Sequence, residues 1–404
     1  MRAYPQPADA TNSKIELADI VRAYGAAFRA AHRLSRVQMT AMRAIETCRT
    51  AALGGHVEQC DTCGTVRFAY HACRNRHCPK CQTLAKERWL AQQRTELLPV
   101  PYFHVVFTLP HALNALAQGN PRLIYGLLCK AAAETLLAFG ENPRWLGGEI
   151  GVTLVLHTWG QNLNQHLHVH ALVTGGGLHA DGHWIAARKD FLFPVQALSA
   201  VFRGQFLAAL DQAFAAGQLN LAGTTASLVE VSAHRRVLTR LRDCPWVVYA
   251  KQSFGGPAQV LDYLGRYTHR VAIANQRLLS FADGQVRFRW KDYAHGNRRK
   301  VMCLDAAEFI RRFLLHVLPK GFMRIRHYGL TANRAKHSQL ERARRALHQP
   351  VEPPSPPESV ETFWLRGGNI RIHQCPLCAS GMMRIVASFT RQRPPTHGPP
   401  PSAA

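Results

Sequence analysis

The stretch Gly151–Gly177 constrains the fold more than any other part of the chain. It reads GVTLVLHTWGQNLNQHLHVHALVTGGG, so two apolar runs typical of β-strands flank a polar turn. A hairpin centred between residues 162 and 163 places His157 opposite His168, and directly opposed residues have Cβ atoms about 5 Å apart. Because side chains two residues apart share one face of a strand, His170 points the same way as His168. The pattern predicts a hairpin on which three imidazoles converge.

A divalent metal ion is the partner that such a cluster suits, because neutral imidazole is the commonest metal ligand in proteins. The sequence therefore predicts a metal site built from His157, His168 and His170. The alternative is a solvated histidine-rich loop beside a strand, with no ion.

The charge of the chain indicates a polyanionic partner. Its 404 residues include 50 Lys and Arg against 25 Asp and Glu, which gives a net charge of +25 and a pI near 10.3. A field of this size attracts polyanions, so nucleic acid is the expected partner and an acidic membrane surface the weaker alternative. We find no uninterrupted apolar segment long enough to span a bilayer and no apolar signal core, so we expect a cytoplasmic protein with no membrane partner.

Eleven cysteines in a cytoplasmic protein indicate metal ligands rather than disulfides. Cys60-x-x-Cys63 and Cys78-x-x-Cys81 are two knuckles about 14 residues apart, each presenting two thiolates. Together they predict one closed tetrahedral site for structural Zn²⁺. The same stretch contains three further candidates, as outer groups or as ligands of a second zinc: His71, Cys73 and His77.

The C-terminal region carries one more half of a metal site. Cys375-x-x-Cys378 supplies two thiolates. His373, Cys303 or a partner chain are the alternatives that would complete it.

Periodicity and turn signals predict an α+β protein, with an open antiparallel sheet packed by helices on one face. The expected elements include helices over Ser35–Leu53, Pro121–Phe139 and Val195–Ala216, and strands over Tyr102–Leu109 and Leu228–Val231. The expected organisation is N-terminal helices over residues 1–55, a zinc-binding module and helix over 56–98, a catalytic domain over 100–345, a proline-rich linker over 349–359, a cysteine knuckle region over 360–391 and a disordered tail over 392–404.

A predicted helix that starts at Pro257 carries two tyrosines. Tyr263 and Tyr267 are four residues apart, so they share one helix face. Arg266 and Arg270 crowd the segment, which favours a phosphate-binding surface over the alternative of two core phenols. A tyrosine hydroxyl can attack a phosphodiester and keep the DNA end as an ester, with a metal ion polarising the scissile phosphate.

The segment 266–345 combines positive charge with aromatic rings. It contains 19 Lys and Arg against 5 Asp and Glu, with Phe288 and Trp290 among its aromatic residues. Cations for phosphates and rings for base stacking are what single-stranded DNA or RNA binding requires. The alternative is a solvated basic face with ordinary core aromatics. The DNA-binding candidates are Arg266, Arg270, Arg298, Arg299, Lys300, Arg324 and Arg326.

Several motifs resemble one known family. His168-Val169-His170 resembles the His-hydrophobic-His motif of the HUH endonucleases, and YLGRYTHRVAIAN resembles the two-tyrosine motif of their rolling-circle transposases. The stretches CRNRHCPKCQ, YFHVVFTLPH, LHTWGQNLN and FLLHVLPKGFMRIRHYG resemble the insertion sequence ninety-one family of bacterial transposases. The resemblance covers about residues 30 to 385. Leu167 departs from the pattern, because family members commonly have proline there.

This resemblance implies a sheet of RNA-recognition-like topology and an enzyme that cleaves single-stranded DNA at the element's ends for rolling-circle transfer to target DNA. It implies Tyr263 and Tyr267 as nucleophiles that form a 5′-phosphotyrosine ester, and His168 and His170 as ligands of Mg²⁺ or Mn²⁺. Related relaxases have a third histidine at a similar distance before the motif, which supports His157 and leaves His166 as the alternative third ligand.

Three other functions compete with the transposase. A plasmid replication initiator or relaxase would use the same chemistry, but the zinc module and the length argue against it. A non-catalytic zinc-containing regulator would bind nucleic acid without cleaving it. A metallohydrolase of the His-x-His-x-Asp-His type needs an acidic residue near the cluster, and positions 171–180 contain none.

Overall fold

The computed structural model describes residues 15–188, 190–252, 265, 272–292, 295–349, 358–369 and 371–391. It divides into two compact units that are each discontinuous in sequence. We call the first, formed by Met1–Cys81, Ile273–Leu314 and His373–Ala404, the cysteine unit. We call the second, formed by Gln82–Ala272 and Leu315–Ile372, the sheet unit.

The regular elements that the structure describes are ten α-helices and thirteen strands. The helices are α1 Leu17–Ala31, α2 Arg36–Glu46, α3 Gln82–Glu96, α4 Asn114–Gly119, α5 Pro121–Glu141, α6 Val195–Ala215, α7 Val231–Asp243, α8 Ala306–Leu314, α9 Lys336–Ala346 and α10 Val360–Gly368. The strands are β1 Gly55–Cys60, β2 Val66–Tyr70, β3 Tyr102–Thr108, β4 Gly151–Trp159, β5 Gln165–Thr174, β6 Gly176–Leu178, β7 Trp184–Ala186, β8 Val248–Gln252, β9 Leu278–Ala282, β10 Gln285–Asp292, β11 Arg298–Asp305, β12 Ile325–Gly329 and β13 Met383–Phe389.

The cysteine unit combines a helix pair with two small antiparallel sheets. Helix α2 begins with a capping box, because the Ser35 hydroxyl accepts from the Gln38 amide and the Gln38 side chain accepts from the Ser35 amide. One sheet has the order β13-β1-β2 and the other the order β11-β10-β9. Strand β13, the last described strand, therefore pairs with β1, the first described strand.

The sheet unit is built on a five-stranded antiparallel sheet of order β12-β4-β5-β3-β8. Along the chain β3 is followed by α5, then by β4 and β5, then by α6 and α7, then by β8. This strand-helix-strand-strand-helix-strand succession, with the spatial order β4-β5-β3-β8, is the split β-α-β arrangement. The expected α+β class with an antiparallel sheet is confirmed.

Alternating side chains give the sheet two different faces. Odd-numbered residues of β3 and β5, such as Val105, Phe107 and Val169, join α5 and α6 in the main core of the unit. On the other face Tyr102 and Leu172 pack in a smaller core with residues of α3 and α9. Helices therefore cover parts of both faces, rather than the single face expected. Helix α5 is the one described helix that is long and apolar enough to cross a membrane, and its buried residues lie in the main core.

Some expected elements differ from the structure. Helix α2 ends at Glu46 instead of Leu53, because the hydroxyls of Thr47 and Thr50 donate to backbone carbonyls and Arg49 adopts a φ of 55°. The strand expected over Leu228–Val231 is wrong, since a 3₁₀ helix over Gly223–Val229 runs into α7 there.

The division of the chain also differs from the contiguous domains expected. Residues 273–314, expected within the catalytic domain, belong to the cysteine unit, and α3 belongs to the sheet unit. Most of the predicted linker and tail, residues 350–357 and 392–404, lies outside the described residues.

Candidate metal centres and DNA-binding residues

The β4–β5 hairpin brings three histidines together as the sequence pattern predicts. His157 lies directly opposite His168 in the register, and Val155 lies opposite His170. The ring centroids of His157 and His170 are 4.3 Å apart, and those of His168 and His170 are 4.9 Å apart. One nitrogen of each of the three imidazoles lies within 4.8 Å of the others, as a shared metal ion requires.

Hydrogen bonds orient two of these rings. His168 Nδ1 donates to the carbonyl oxygen of His166 at 2.9 Å, and His170 Nδ1 lies 2.8 Å from Nε2 of His104 on β3. Since Nδ1 is engaged in both rings, Nε2 is the nitrogen through which each would ligate a metal. Partners of this kind fix the ring orientation of ligating histidines. Nothing in the sequence of β3 indicated that His104 would contact the cluster.

Burial disfavours the protonated form of His168, His170 and their neighbour His104. His157, His168 and His170 are 2%, 9% and 7% exposed. Loss of hydration lowers the pKa of His168 to about 3 and that of His104 to about 4, and it lowers the pKa of His170 well below the ordinary value. Neutral imidazole is the form that ligates metal ions, so these residues fit a divalent cation.

His166 does not belong to this group. Its Nδ1 lies 3.0 Å from His111 Nε2, and its ring is only partly buried. The structure therefore places His157, not His166, with the His-x-His pair; the role of all three as ligands stays a prediction.

A buried histidine supports the tip of the hairpin. His316 Nε2 donates to the carbonyl oxygen of Leu163 at 3.0 Å, and the Thr158 hydroxyl donates to His316 Nδ1 at 3.2 Å. Leu163 is fully buried and has a φ of 64°, a conformation that costs a leucine about 1–2 kcal/mol. The His316 bond and the burial of the leucine side chain offset that strain.

The cysteines form two four-thiol groups, and the predicted single site of Cys60, Cys63, Cys78 and Cys81 is wrong in its grouping. Cys78 and Cys81 join Cys48 and Cys73, whereas Cys60 and Cys63 join Cys375 and Cys378. The reason is that a Cys-x-x-Cys turn fixes only half of a tetrahedral site, and the fold selects the other half.

The first cysteine cluster lies at the end of α2. Cys81 Sγ lies 3.5 Å from both Cys48 Sγ and Cys73 Sγ, and Cys78 Sγ lies 3.8 Å from Cys48 Sγ. Hydrogen bonds among the thiols lower the pKa of Cys48 to about 6 and lower that of Cys81, while contact with Cys48 raises that of Cys78. Four sulfurs at this spacing fit Zn²⁺. Of the three open candidates, Cys73 is in this group and His71 and His77 are in neither.

The second cysteine cluster joins a turn in the N-terminal part of the chain to a turn in its C-terminal part. Cys60 Sγ lies 3.7 Å from Cys378 Sγ, and Cys63 Sγ lies 3.7 Å from Cys375 Sγ. The knuckle at 375–378 is therefore completed by the knuckle at 60–63 rather than by His373, Cys303 or a partner chain. A further group of possible ligands, unforeseen from the sequence, is the exposed turn His179, Asp181 and His183.

The DNA-binding candidates belong to both units. Arg298, Arg299 and Lys300 are exposed on β11 of the cysteine unit, where Lys300 pairs with Asp292 at 2.7 Å. In the sheet unit, Arg326 lies over the Phe322 ring at 4.8 Å, and Arg324 is only 8% exposed. Burial leaves Arg324 little surface for a phosphate, so its predicted role has less support than the others.

The segment predicted to form the helix with the two tyrosines lies outside the described residues, except for Gly265. Tyr263, Tyr267, Arg266 and Arg270 belong to that segment, and only Gly265 within it is described. Gly265 is helical and buried, and a Cβ atom there would lie 2.6 Å from Leu90 Cδ1.

Two known protein families match the chain, each over a different range of residues. Residues 20–109 match a family described as "Transposase zinc-binding domain", and residues 151–339 match one described as "Putative transposase". The chain is 53% identical to "Putative transposase y4qJ" of Sinorhizobium fredii over 93% of its length and 95% of the relative's. It is 28% identical to "Transposase for insertion sequence element IS801" of Pseudomonas savastanoi pv. phaseolicola, over 88% of this chain and 85% of the relative. No solved structure matches the chain significantly.

Proposed function

Since the chain belongs to the insertion sequence ninety-one family of transposases, with an N-terminal zinc-binding domain, we propose that it cleaves and rejoins single-stranded DNA. The substrate is the end of its own insertion sequence, and the product is transferred to target DNA by rolling-circle transposition. The first step forms a 5′-phosphotyrosine ester.

The histidine cluster carries this proposal. His157, His168 and His170 are buried, and one nitrogen of each lies within 4.8 Å of the others, on paired strands of an antiparallel sheet. The split β-α-β order of that sheet supports its assignment to the HUH endonuclease fold. A bound Mg²⁺ or Mn²⁺ would supply polarisation of the scissile phosphate and stabilisation of its transition-state charge.

Tyr263 and Tyr267 are the proposed nucleophiles, through the family motif that they match. The phenolic oxygen of one tyrosine attacks the phosphorus atom, the bond from phosphorus to the 3′ oxygen breaks, and that oxygen leaves as a 3′-hydroxyl. The phosphotyrosine ester retains the energy of the broken phosphodiester, so a 3′-hydroxyl can reseal it without a nucleotide cofactor. Two tyrosines permit two successive transfers.

The basic surface is the proposed DNA contact. Arg298 and Arg299 are exposed on β11, and their neighbour Lys300 lies directly opposite Trp290 on strand β10. Guanidinium groups suit phosphates, and an indole ring suits an unstacked base. This combination favours single-stranded over double-stranded DNA.

A covalent-adduct assay tests the nuclease proposal. A single-stranded oligonucleotide that carries the element's end, labelled at its 3′ end, should become attached to the protein and survive denaturing electrophoresis in Mn²⁺. The double variant Tyr263→Phe and Tyr267→Phe should form no adduct. The matched control replaces two exposed tyrosines, Tyr70→Phe and Tyr249→Phe, and should react like the parent.

The metal dependence is tested with the same substrate. His168→Ala should lose the adduct at all Mn²⁺ concentrations, whereas His337→Ala, which changes an exposed histidine of α9, should not. An adduct that persists in the double tyrosine variant would refute the nucleophile assignment. Binding without cleavage by the parent at every ion concentration would favour a non-catalytic regulator.

A further inference from the structure

Two Cys-x-x-Cys turns from opposite ends of the chain form one group of four thiols in the cysteine unit. Their sulfur atoms all lie within 4.8 Å of one another. We propose that Cys60, Cys63, Cys375 and Cys378 hold a second structural Zn²⁺ ion, separate from the ion at the first cysteine cluster. This ion fastens the C-terminal segment to the N-terminal zinc-binding domain.

The two turns present their first sulfur atoms in the same way. The Thr62 amide donates to Cys60 Sγ at 3.4 Å, and the Leu377 amide donates to Cys375 Sγ at 3.4 Å. Each donor lies two residues after its acceptor. The match shows that both turns have the shape of a metal-binding knuckle.

The backbone after each second cysteine is also the same. Gly64 has a φ of 72° and Ala379 a φ of 57°, and their amides donate to the carbonyl oxygens of Cys60 and Cys375, both at 3.1 Å. A left-handed φ is ordinary for glycine and strained for alanine. The turn at 375–378 therefore keeps its knuckle shape against the preference of its own sequence.

The C-terminal segment has only a small buried core among the described residues. Strand β13 pairs with β1, but Ile385 and Val386 on it are 63% and 55% exposed. The buried cluster beneath consists of Cys60, Cys375 and Met383, with Cys378 packed against it. A three-stranded sheet with so small a core needs a cross-link, and structural zinc supplies folding energy directly.

A pair of disulfides is the other cross-link that four cysteines can form. The contacts between the two knuckles are 3.7 Å from sulfur to sulfur, far beyond the disulfide length of about 2.05 Å. The four-fold arrangement is that of a tetrahedral thiolate site. Neither family match, over residues 20–109 and 151–339, reaches Cys375 or Cys378.

Metal content of the full chain tests the site, independently of strand transfer. Zinc per chain is measured by mass spectrometry with inductively coupled plasma after dialysis against a chelator too weak to strip structural zinc. The double variant Cys375→Ser and Cys378→Ser should carry one zinc fewer than the parent. The matched control Cys244→Ser and Cys303→Ser, which changes cysteines outside both clusters, should carry the parent's zinc.

Combined variants show which cysteines share an ion. Adding Cys60→Ser and Cys63→Ser to the C-terminal double variant should remove no further zinc. Adding Cys48→Ser instead, from the first cluster, should remove a second. Full zinc content in the C-terminal double variant would overturn the proposal, and so would a further loss on adding the changes at 60 and 63.

A glycine beside the site gives a test that leaves every cysteine in place. A Cβ atom at Gly381 would collide with Cys60 Sγ and lie 2.7 Å from Thr62 Oγ1. Gly381→Ala should therefore release one zinc to a colorimetric chelator at least tenfold faster than the parent. Gly204→Ala, where a Cβ meets nothing within 4 Å, is the matched control. Equal release by Gly381→Ala and the parent would contradict a shared site at this position.

Discussion

Replacing His316 with alanine tests how the tip of the histidine hairpin is held. His316 is fully buried and bonds to Thr158 on β4 and to Leu163 in the turn. Its ring also lies 6.1 Å from that of Trp159, which stacks on His157 at 4.5 Å. The substitution therefore removes support from both the turn and the neighbour of a proposed metal ligand.

The expected loss of stability follows from the two groups that lose their hydrogen bond to His316. The Thr158 hydroxyl and the Leu163 carbonyl would be buried without a hydrogen bond, which costs about 1–3 kcal/mol each. We expect the free energy of unfolding of the sheet unit to fall by about 3 kcal/mol. For a unit of this size that corresponds to a decrease of about 6–12 °C in Tm.

The effect should depend on pH in a defined direction. Burial lowers the pKa of His316 from 6.5 to about 4. Between pH 6.5 and 4 the unfolded chain binds a proton that the folded protein excludes, so the parent loses stability as pH falls. Over that range the loss is about 3 kcal/mol, from 1.36 kcal/mol per pKa unit. The stability difference between the parent and His316→Ala should therefore be greatest above pH 6.5 and shrink towards pH 4.

Tryptophan fluorescence during urea unfolding measures this difference. Of the seven tryptophans, Trp290 is the single one within the ranges of the cysteine unit, so the signal reports mainly on the sheet unit. His337→Ala is the control, and its free energy of unfolding should lie within about 0.5 kcal/mol of the parent's. A stability difference between His316→Ala and the parent that does not change between pH 7.5 and 5 would refute the reasoning.

Three further predictions follow from single contacts. His104→Ala should weaken Mn²⁺ binding at the histidine cluster by about 10–100-fold, because the ring that orients His170 is lost; calorimetry that gives the parent's Kd would exclude this positioning role. Gly329→Ala should destabilise the sheet unit by more than about 2 kcal/mol, since Gly329 has a φ of 58° and a Cβ there overlaps the Ile150 carbonyl oxygen; an unchanged urea midpoint would contradict it. Ser35→Ala should lower the free energy of unfolding by about 1 kcal/mol, because it removes the N-terminal cap of α2. If the variant unfolds at the same midpoint as the parent, as monitored by circular dichroism, the cap contributes little.

The hairpin could be predicted because its determinants are local. Strand alternation and the symmetry of a short loop fix which residues of β4 and β5 are opposed, and the structure has the predicted His157–His168 pair. The support of the turn at the tip of the hairpin could not be predicted in this way. That support comes from His316, about 150 residues further along the chain, and the loop sequence gives no indication of that partner.

The cysteine grouping could not be predicted because a knuckle specifies only two ligands. Cys60 and Cys378 are 318 residues apart, and their meeting depends on the pairing of β13 with β1. Cys48 stands alone in the sequence, so no spacing marked it as a ligand. Sequence proximity favoured the knuckle at Cys78 and Cys81 as the partner of Cys60 and Cys63. In the structure their partner is the distant knuckle at Cys375 and Cys378.

The two faces of the β4–β5 hairpin differ in a way that packing alone does not explain. Leu154, Leu156 and Val169 face the main core and are at most 1% exposed. His157 and His168, on the opposite face of the same strands, are buried nearly as well. Aliphatic side chains there would avoid the loss of hydration that lowers the pKa of the histidines, and with it the loss of stability at low pH. Burying imidazoles close together therefore lowers stability, and that cost is consistent with the cation-binding role that we propose for these residues.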